Sequence, residues 1–255
     1  MITGQPTIEG AGVRLNRIFA NNPDFDPFLL LDDFSSNNKE DFLPGFPWHP
    51  HRGIETVTYI IKGSVEHGDS IGNKGTIKDG NIQWMTAGKG IIHQEMPKSG
   101  IIGFQLWVNL PKKNKMMSPR YQDITIIPEV KEKNATIKVI AGEYNGTKGP
   151  VKDIMVNPEY YDIQVNLKFT MKLKKQTNLV YVFEGKGKIN NTNIKAGQLM
   201  KVDSLDVTGK LRFLLISGKP LREPVAWHGP IVMNTQKELD LAFKELQDGN
   251  FIKFL

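Results

Sequence analysis

The chain has 255 residues, 39% of them hydrophobic, and none of its apolar runs reaches the ~18 residues that a membrane span requires. It has no cysteine, which excludes disulfides, iron–sulfur clusters and cysteine-ligated zinc, so a bound metal would have nitrogen and oxygen ligands. The net charge of +6 comes from lysines spread along the chain without interleaved aromatic residues, so we expect no specific nucleic-acid binding.

Most of the chain is predicted to form β-strands separated by short turns that contain glycine. Runs rich in β-branched and aromatic residues occur at 56–61, 101–110, 137–140, 165–173, 179–183 and 211–216. This spacing is typical of an all-β barrel or sandwich.

The second half of the chain resembles the first. The similar segments are 56–63 with 178–185, 77–85 with 194–200, and 103–110 with 211–217. We therefore predict two similar β-domains, residues 1–130 and residues 131–255. The repeat in the second half has no histidine, so we expect only the first domain to bind a metal through histidine.

One helix is predicted, close to the C-terminus. Thr235 and Glu238 form the pattern of a capping box, and Gly249 marks the end of the helix. The apolar stripe between them consists of Leu239, Ala242, Phe243 and Leu246. The tail at 251–255 is apolar again and is predicted to dock onto a domain.

Two short motifs hold three of the five histidines, His49-Pro50-His51 and His93-Gln94-Glu95. Residues i and i+2 of a strand project from the same face, so each motif can direct two side chains to one point. Two such motifs on neighbouring strands would supply three imidazoles and a carboxylate. That donor set suits a divalent transition metal with coordination positions left open for a ligand.

Longer motifs surround these histidines. Residues 46–59 (FPWHPHRGIETVTY) and 80–97 (GNIQWMTAGKGIIHQEMP) resemble the pirin family, a branch of the cupins, as do 66–70, 224–230 and Asn234. The resemblance spans nearly the whole chain. It implies a bicupin fold, with two face-to-face β-barrels of the jelly-roll type and a short C-terminal helix.

By the resemblance, His49, His51, His93 and Glu95 bind one Fe(2+) per chain in the N-terminal barrel, and Zn, Mn or Ni can replace iron in recombinant protein. Glu55 is a rival ligand, because many other cupins carry the ligand glutamate four residues after the second histidine. Strand geometry does not separate the two carboxylates. The resemblance favours Glu95, and Glu55 would then orient a ligand imidazole or a bound water.

Four further side chains receive predicted roles. Phe46, Trp48 and Trp84 lie close to the ligand motifs in sequence and are predicted to wall the substrate pocket. Arg52 is predicted to pair with Glu55, or else to meet an anionic substrate.

The two remaining histidines receive structural interpretations. His67 is predicted to contact Asp69 within a turn. His228 is predicted to be buried and hydrogen-bonded.

Pirins are similar to quercetin 2,3-dioxygenases, which implies that O2 opens the ring of a flavonol with release of carbon monoxide. The expected partners are an aromatic small molecule and O2, with Glu95 as the base and Glu55 as its alternative. The family resemblance also permits a regulatory protein that acts through a transcription factor or a metabolic enzyme. A metal-dependent isomerase or hydrolase, with Zn or Mn, is a third interpretation. We expect a monomer in the cytoplasm, without a secretory signal or a membrane partner.

Overall fold

The computed structural model describes residues 1–252, and the end of the predicted tail, 253–255, lies outside the described residues. The strands are β1 (Ile2–Thr3), β2 (Gln5–Glu9), β3 (Val13–Ala20), β4 (Phe28–Asp33), β5 (Phe46–His51), β6 (Ile54–Lys62), β7 (Val65–Asp69), β8 (Lys74–Ile77), β9 (Ile82–Thr86), β10 (Ile91–Pro97), β11 (Ile102–Asn109), β12 (Arg120–Ile124), β13 (Glu129–Lys131), β14 (Ala135–Ala141), β15 (Glu143–Tyr144), β16 (Thr147–Lys148), β17 (Glu159–Val165), β18 (Lys168–Met171), β19 (Thr177–Ile189), β20 (Thr192–Lys195), β21 (Gln198–Lys201), β22 (Leu205–Gly218), β23 (Ala226–His228) and β24 (Ile231–Met233). The α-helices are α1 (Lys39–Phe42) and α2 (Gln236–Gln247). The predicted all-β class with a short C-terminal helix is confirmed. Within residues 1–252, no helix has the length and apolarity needed to cross a membrane.

The chain forms two compact units. The N-terminal unit comprises Pro6–Arg17, Phe28–Thr125 and the segment that begins at Leu221. The C-terminal unit comprises Met1–Gln5, Ile18–Pro27 and Ile126–Pro220. These units differ from a contiguous division between residues 130 and 131, chiefly because α2 packs with the first half of the chain.

Two sheets of the N-terminal unit enclose its interior. The larger sheet has the strand order β12-β9-β6-β11-β4-β3-β2, and the smaller has the order β5-β10-β7-β8. The predicted strand at 56–61 is β6, between β9 and β11. The two sheets face each other, since side chains of β10 contact side chains of β6 and β11.

The main sheet of the C-terminal unit has a strand order equivalent to that of the larger N-terminal sheet. This sheet has the order β1-β21-β19-β22-β17-β14-β13. Strand β19 lies between β21 and β22, just as β6 lies between β9 and β11. The segments that resemble one another in sequence therefore have the same neighbours, which confirms the internal repeat.

Helix α2 forms as its sequence predicts. The Thr235 hydroxyl accepts the N–H of Glu238 (3.2 Å), and the Glu238 carboxylate accepts the N–H of Thr235 (2.9 Å). Leu239 and Ala242 are buried, and Gly249 has a φ of +73° just beyond the helix. The predicted capping box, apolar stripe and glycine stop are all confirmed.

The interior face of β6 is apolar at its ends and polar in its middle. Ile54 and Ile60 belong to two separate apolar clusters, and Thr56 and Thr58 lie between them. Both threonines are buried. Buried hydroxyl groups require hydrogen-bond partners, so the middle of this unit must contain other polar groups.

Those groups form a line across the larger sheet. Directly opposed positions on five adjacent strands make up what we call the polar row: Asp123, Gln83, Thr58, Gln105 and Asp32. Neighbouring strands lie ~4.8 Å apart, so the row offers a donor or acceptor at each such step. Glu95 of the facing sheet meets the row at its centre.

Candidate metal centre and its cavity

Three histidines converge at one end of the smaller sheet. In the pairing of β5 with β10, His93 lies directly opposite His49, and His51 follows on the same face of β5. The ring nitrogens of the three side chains all lie within 4.8 Å of one another. The two histidine motifs are therefore brought together by strand pairing.

Backbone carbonyls orient two of these rings. The Nδ1–H of His49 donates to the carbonyl of Pro47 (2.7 Å), and that of His51 donates to the carbonyl of Pro230 (3.3 Å). A carbonyl only accepts, so each Nδ1 carries a proton, and Nε2 is the ring nitrogen that faces the other histidines. The Nε2 atoms of His49 and His51 lie 3.1 Å apart.

The third histidine supplies a buried nitrogen without a hydrogen-bond partner within residues 1–252. His93 Nε2 is buried and has no hydrogen-bond partner among the described residues. Burial, together with the neighbouring histidines, lowers the pKa of both His51 and His93, so both rings are neutral at pH 7. Convergent lone pairs on neutral imidazoles are what a divalent transition metal binds, and these residues fit such an ion.

Glu95 lies outside this group of three. Its carboxylate is buried and accepts hydrogen bonds from the Thr58 hydroxyl (2.6 Å) and the Gln105 amide (2.9 Å). Strand alternation sends the side chain into the same interior as His93, but the facing sheet sets the position of its oxygens. Its role as fourth ligand and as base stays a prediction.

Glu55 is directed elsewhere. A turn at Arg52 and Gly53 separates β5 from β6, and these strands belong to different sheets, so the four-residue spacing from His51 preserves no common face. Alternation along β6 places Glu55 on the opposite face from Thr58. There the Thr86 hydroxyl donates to it (2.8 Å), and burial raises its pKa. This geometry contradicts its predicted roles as rival ligand, orienting group and alternative base.

Two of these histidines, His49 and His51, line a cavity of about 620 Å³. Aromatic side chains account for much of its wall: Phe46, Trp48, Trp107 and Trp227. The indole of Trp107 packs edge-on against the His51 ring, with centroids 5.1 Å apart. The predicted wall residue Trp84 is not among them, because it alternates with Gln83 on β9 and faces away from the polar row.

Arg52 binds the C-terminal segment instead of Glu55. It is buried and donates to the Glu245 carboxylate (2.7 Å) and to the carbonyl of Phe251 (2.9 Å). Its guanidinium also lies over the Phe251 ring, 4.2 Å from the centroid. The predicted pair with Glu55 is wrong, and Arg52 instead ties the turn after His51 to α2.

The other histidines also differ from their predicted contacts. His67 is buried against the Tyr121 hydroxyl and lies 3.9 Å from Asp123, whereas Asp69 accepts hydrogen bonds from its own turn. His228 is exposed and packs edge-on against Phe243. Neither belongs to the group of three.

Sequence reasoning missed several residues of the site. Gln105 and Asp32 are polar residues inside apolar strands, and that interruption was the available signal for them. Trp107 follows Gln105 on the same face and donates to its amide oxygen (3.1 Å). Trp227 and Pro230 come from the distant C-terminal segment, and no local pattern connects them with His51.

The chain is similar to known proteins over its whole length. A family model described as Pirin matches residues 12–108, and one described as Pirin C-terminal cupin domain matches 160–252. A pirin-like protein of Caulobacter vibrioides is 42% identical, with 98% of this chain and 97% of the relative covered. Pirin-1 of Arabidopsis thaliana is 40% identical, covering 94% and 88%. The crystal structure of a quercetin 2,3-dioxygenase from Acinetobacter baumannii matches with a TM-score of 0.87 and 32% identity, covering 100% of this chain and 97% of that one.

Proposed function

This chain belongs to the pirin family and has a cupin-type fold, and we propose that it is an iron-dependent dioxygenase that uses O2 to open the ring of a flavonol such as quercetin. The observation that carries this proposal is the group of three histidines, two of which line an aromatic cavity of about 620 Å³. That volume lies within the range of small-molecule sites. The similarity to a quercetin 2,3-dioxygenase supports the substrate class.

In this proposal His49, His51, His93 and Glu95 hold one Fe(2+). When bound, iron supplies a Lewis acid that lowers the pKa of a substrate hydroxyl, together with redox chemistry for O2. The carbonyls of Pro47 and Pro230 fix the ring orientations of His49 and His51. Such outer hydrogen bonds keep the ligand nitrogens aimed at one point.

Glu95 is proposed to take the proton of the substrate hydroxyl. Its carboxylate accepts two hydrogen bonds, from the Thr58 hydroxyl and the Gln105 amide. A carboxylate has about four lone-pair sites, so two accepted bonds leave capacity for a proton. Gln105 is in turn held by the indole N–H of Trp107, which couples the cavity wall to this carboxylate.

The aromatic wall suits a flat ring system. Trp107 and Trp227 pack against each other with centroids 5.8 Å apart and an interplanar angle of 38°. Trp48 is half exposed at the cavity, where it can cover a bound ligand. Aromatic side chains stack on planar ligands and displace water from the reacting groups.

Replacement of each buried glutamate by glutamine separates the two carboxylates. We expect Glu95→Gln to weaken iron binding by more than the ~10–100-fold typical of losing an outer hydrogen-bond partner, because a charged ligand is removed. Glu55→Gln is the matched control, because Glu55 lies on the face of β6 that points away from Thr58 and Glu95. It should leave iron binding unchanged. Competitive titration against a chelator measures both affinities. An equal loss in the two variants would contradict the assignment of Glu95.

Turnover of quercetin tests the activity. Protein reconstituted with iron should convert quercetin in the presence of O2, which is measured as a loss of the flavonol absorbance. Protein treated with a chelator should be inert. Free iron at the same concentration is the control, because flavonols autoxidise. A rate no higher than this control would refute the proposed function, and recovery of one stoichiometric protein partner in a pull-down would then favour the regulatory alternative.

A further inference from the structure

A cluster of three charged side chains lies on the cavity wall away from the histidine motifs. Arg17 donates to both oxygens of Asp32, through Nε (3.0 Å) and through an Nη (2.8 Å). Its other Nη lies 2.8 Å from Oε1 of Glu9. All three residues line the same cavity as His49 and His51. We call Glu9, Arg17 and Asp32 the distal cluster.

The polar row fixes where this cluster lies. Asp32 is directly opposite Gln105, and Gln105 is directly opposite Thr58. With strands ~4.8 Å apart, Asp32 stands about 5 Å from Gln105 and about 10 Å from Thr58 along the sheet. Glu95, the proposed base, is hydrogen-bonded to Thr58 and Gln105. The distal cluster therefore begins one strand beyond the residues that hold this base.

The charge of the cluster favours hydrogen-bond donors. Two carboxylates surround one guanidinium, which leaves a net charge of −1 on this part of the wall. Glu9 uses one oxygen for Arg17, and its side chain is 41% exposed. Its second oxygen is therefore available to accept a bond from a ligand in the cavity, whereas Asp32 is almost fully buried.

We infer that the distal cluster is a subsite in which Glu9 accepts a hydrogen bond from a phenolic hydroxyl on the substrate ring remote from the metal. This inference rests on the proposed function and deepens it: the substrate class becomes a flavonol hydroxylated on that remote ring. Arg17 and Asp32 act as positioning residues: Asp32 fixes the guanidinium of Arg17 by two hydrogen bonds, and this guanidinium holds the Glu9 carboxylate.

Binding without turnover tests the subsite. Protein loaded with zinc, which does not react with O2, is titrated under nitrogen with quercetin and with galangin, which lacks hydroxyls on the remote ring. Quenching of the cavity tryptophans reports the dissociation constants. We expect quercetin to bind about tenfold more tightly than galangin, because one hydrogen bond to a charged acceptor contributes about that much affinity.

Variants of Glu9 assign the preference to this residue. Glu9→Ala should reduce the preference for quercetin to about twofold or less without changing the affinity for galangin. Glu9→Gln keeps an acceptor oxygen and should retain an intermediate preference. Glu66→Ala is the matched control, because it also removes one ion pair, with Lys98 (2.7 Å), but lies outside the cavity wall.

Two results overturn the inference in different ways. Equal affinity of the wild-type protein for the two flavonols, or an unchanged preference in Glu9→Ala, refutes the subsite and leaves the proposed function intact. If neither flavonol binds, the subsite and the proposed function both fail.

Discussion

Replacement of His93 by alanine should abolish stoichiometric iron binding and, with it, any iron-dependent turnover. The variant loses one of three nitrogens that lie within 4.8 Å of one another, so two imidazoles and the proposed ligand Glu95 are the donors that remain, and a direct ligand contributes more than an outer partner. We expect the loss of affinity to exceed the ~10–100-fold that follows removal of an outer partner. Elemental analysis after reconstitution and dialysis measures the metal content per chain.

His228→Ala is the control for this variant, because His228 belongs to the same unit but is exposed and lies outside the group of three. It should bind iron as the wild-type protein does. Circular dichroism spectra of both variants establish that the fold is kept. Retention of one tightly bound iron per chain in a folded His93→Ala protein would refute the metal centre described above.

Replacement of Gly53 by alanine should have the largest effect on stability. Gly53 has a φ of +80°, and a Cβ at this position would lie 1.9 Å from the carbonyl oxygen of Val232. The Gly53 carbonyl also accepts a bond from the buried Lys115, which donates to Val232 as well. We expect a loss of about 2–5 kcal/mol in the free energy of unfolding, ~1–2 from the left-handed backbone and ~1–3 from the forced displacement.

Gly80 provides a matched comparison, with a φ of +76° and open space where the methyl group of an alanine would lie. Gly80→Ala should lose only the ~1–2 kcal/mol of backbone strain. Urea unfolding of the two variants gives the difference directly. Equal losses would mean that the close approach of Val232 is unimportant to the fold.

The sequence predicted those parts of the site that depend on the geometry of a single strand. His49 with His51 shares one face of β5, and the motif that holds His93 pairs with that strand. The family resemblance added Glu95, and the structure places this residue in the same interior. The internal repeat was predictable because equivalent segments carry similar apolar patterns.

The prediction for Glu55 failed because the spacing that relates it to His51 crosses a turn between two sheets. Glu55 was related to His51 by spacing alone, but the chain changes sheets at Gly53. Parity holds only within a continuous strand, so such spacing carries no information about a common face. The same limit applies to Trp84, whose nearness to the ligand motifs in sequence did not fix the face of β9 that it occupies.

The polar row was beyond prediction for a different reason. Its members come from five strands, and their alignment depends on the register of each strand pair. Register between strands that are distant in sequence is not encoded in any one of them. Gln105 therefore reads as an isolated polar residue until its opposite neighbours, Thr58 and Asp32, are known.

The return of the C-terminal segment to the N-terminal unit has a consequence for biosynthesis. His51 is oriented by Pro230, 179 residues later in the chain, and Arg52 binds the carbonyl of Phe251, 199 residues later. The ribosome makes these partners 179 and 199 residues after the residues that they contact, so the N-terminal segment is first synthesised without them. The histidine group therefore acquires these contacts only after the C-terminal segment has been made.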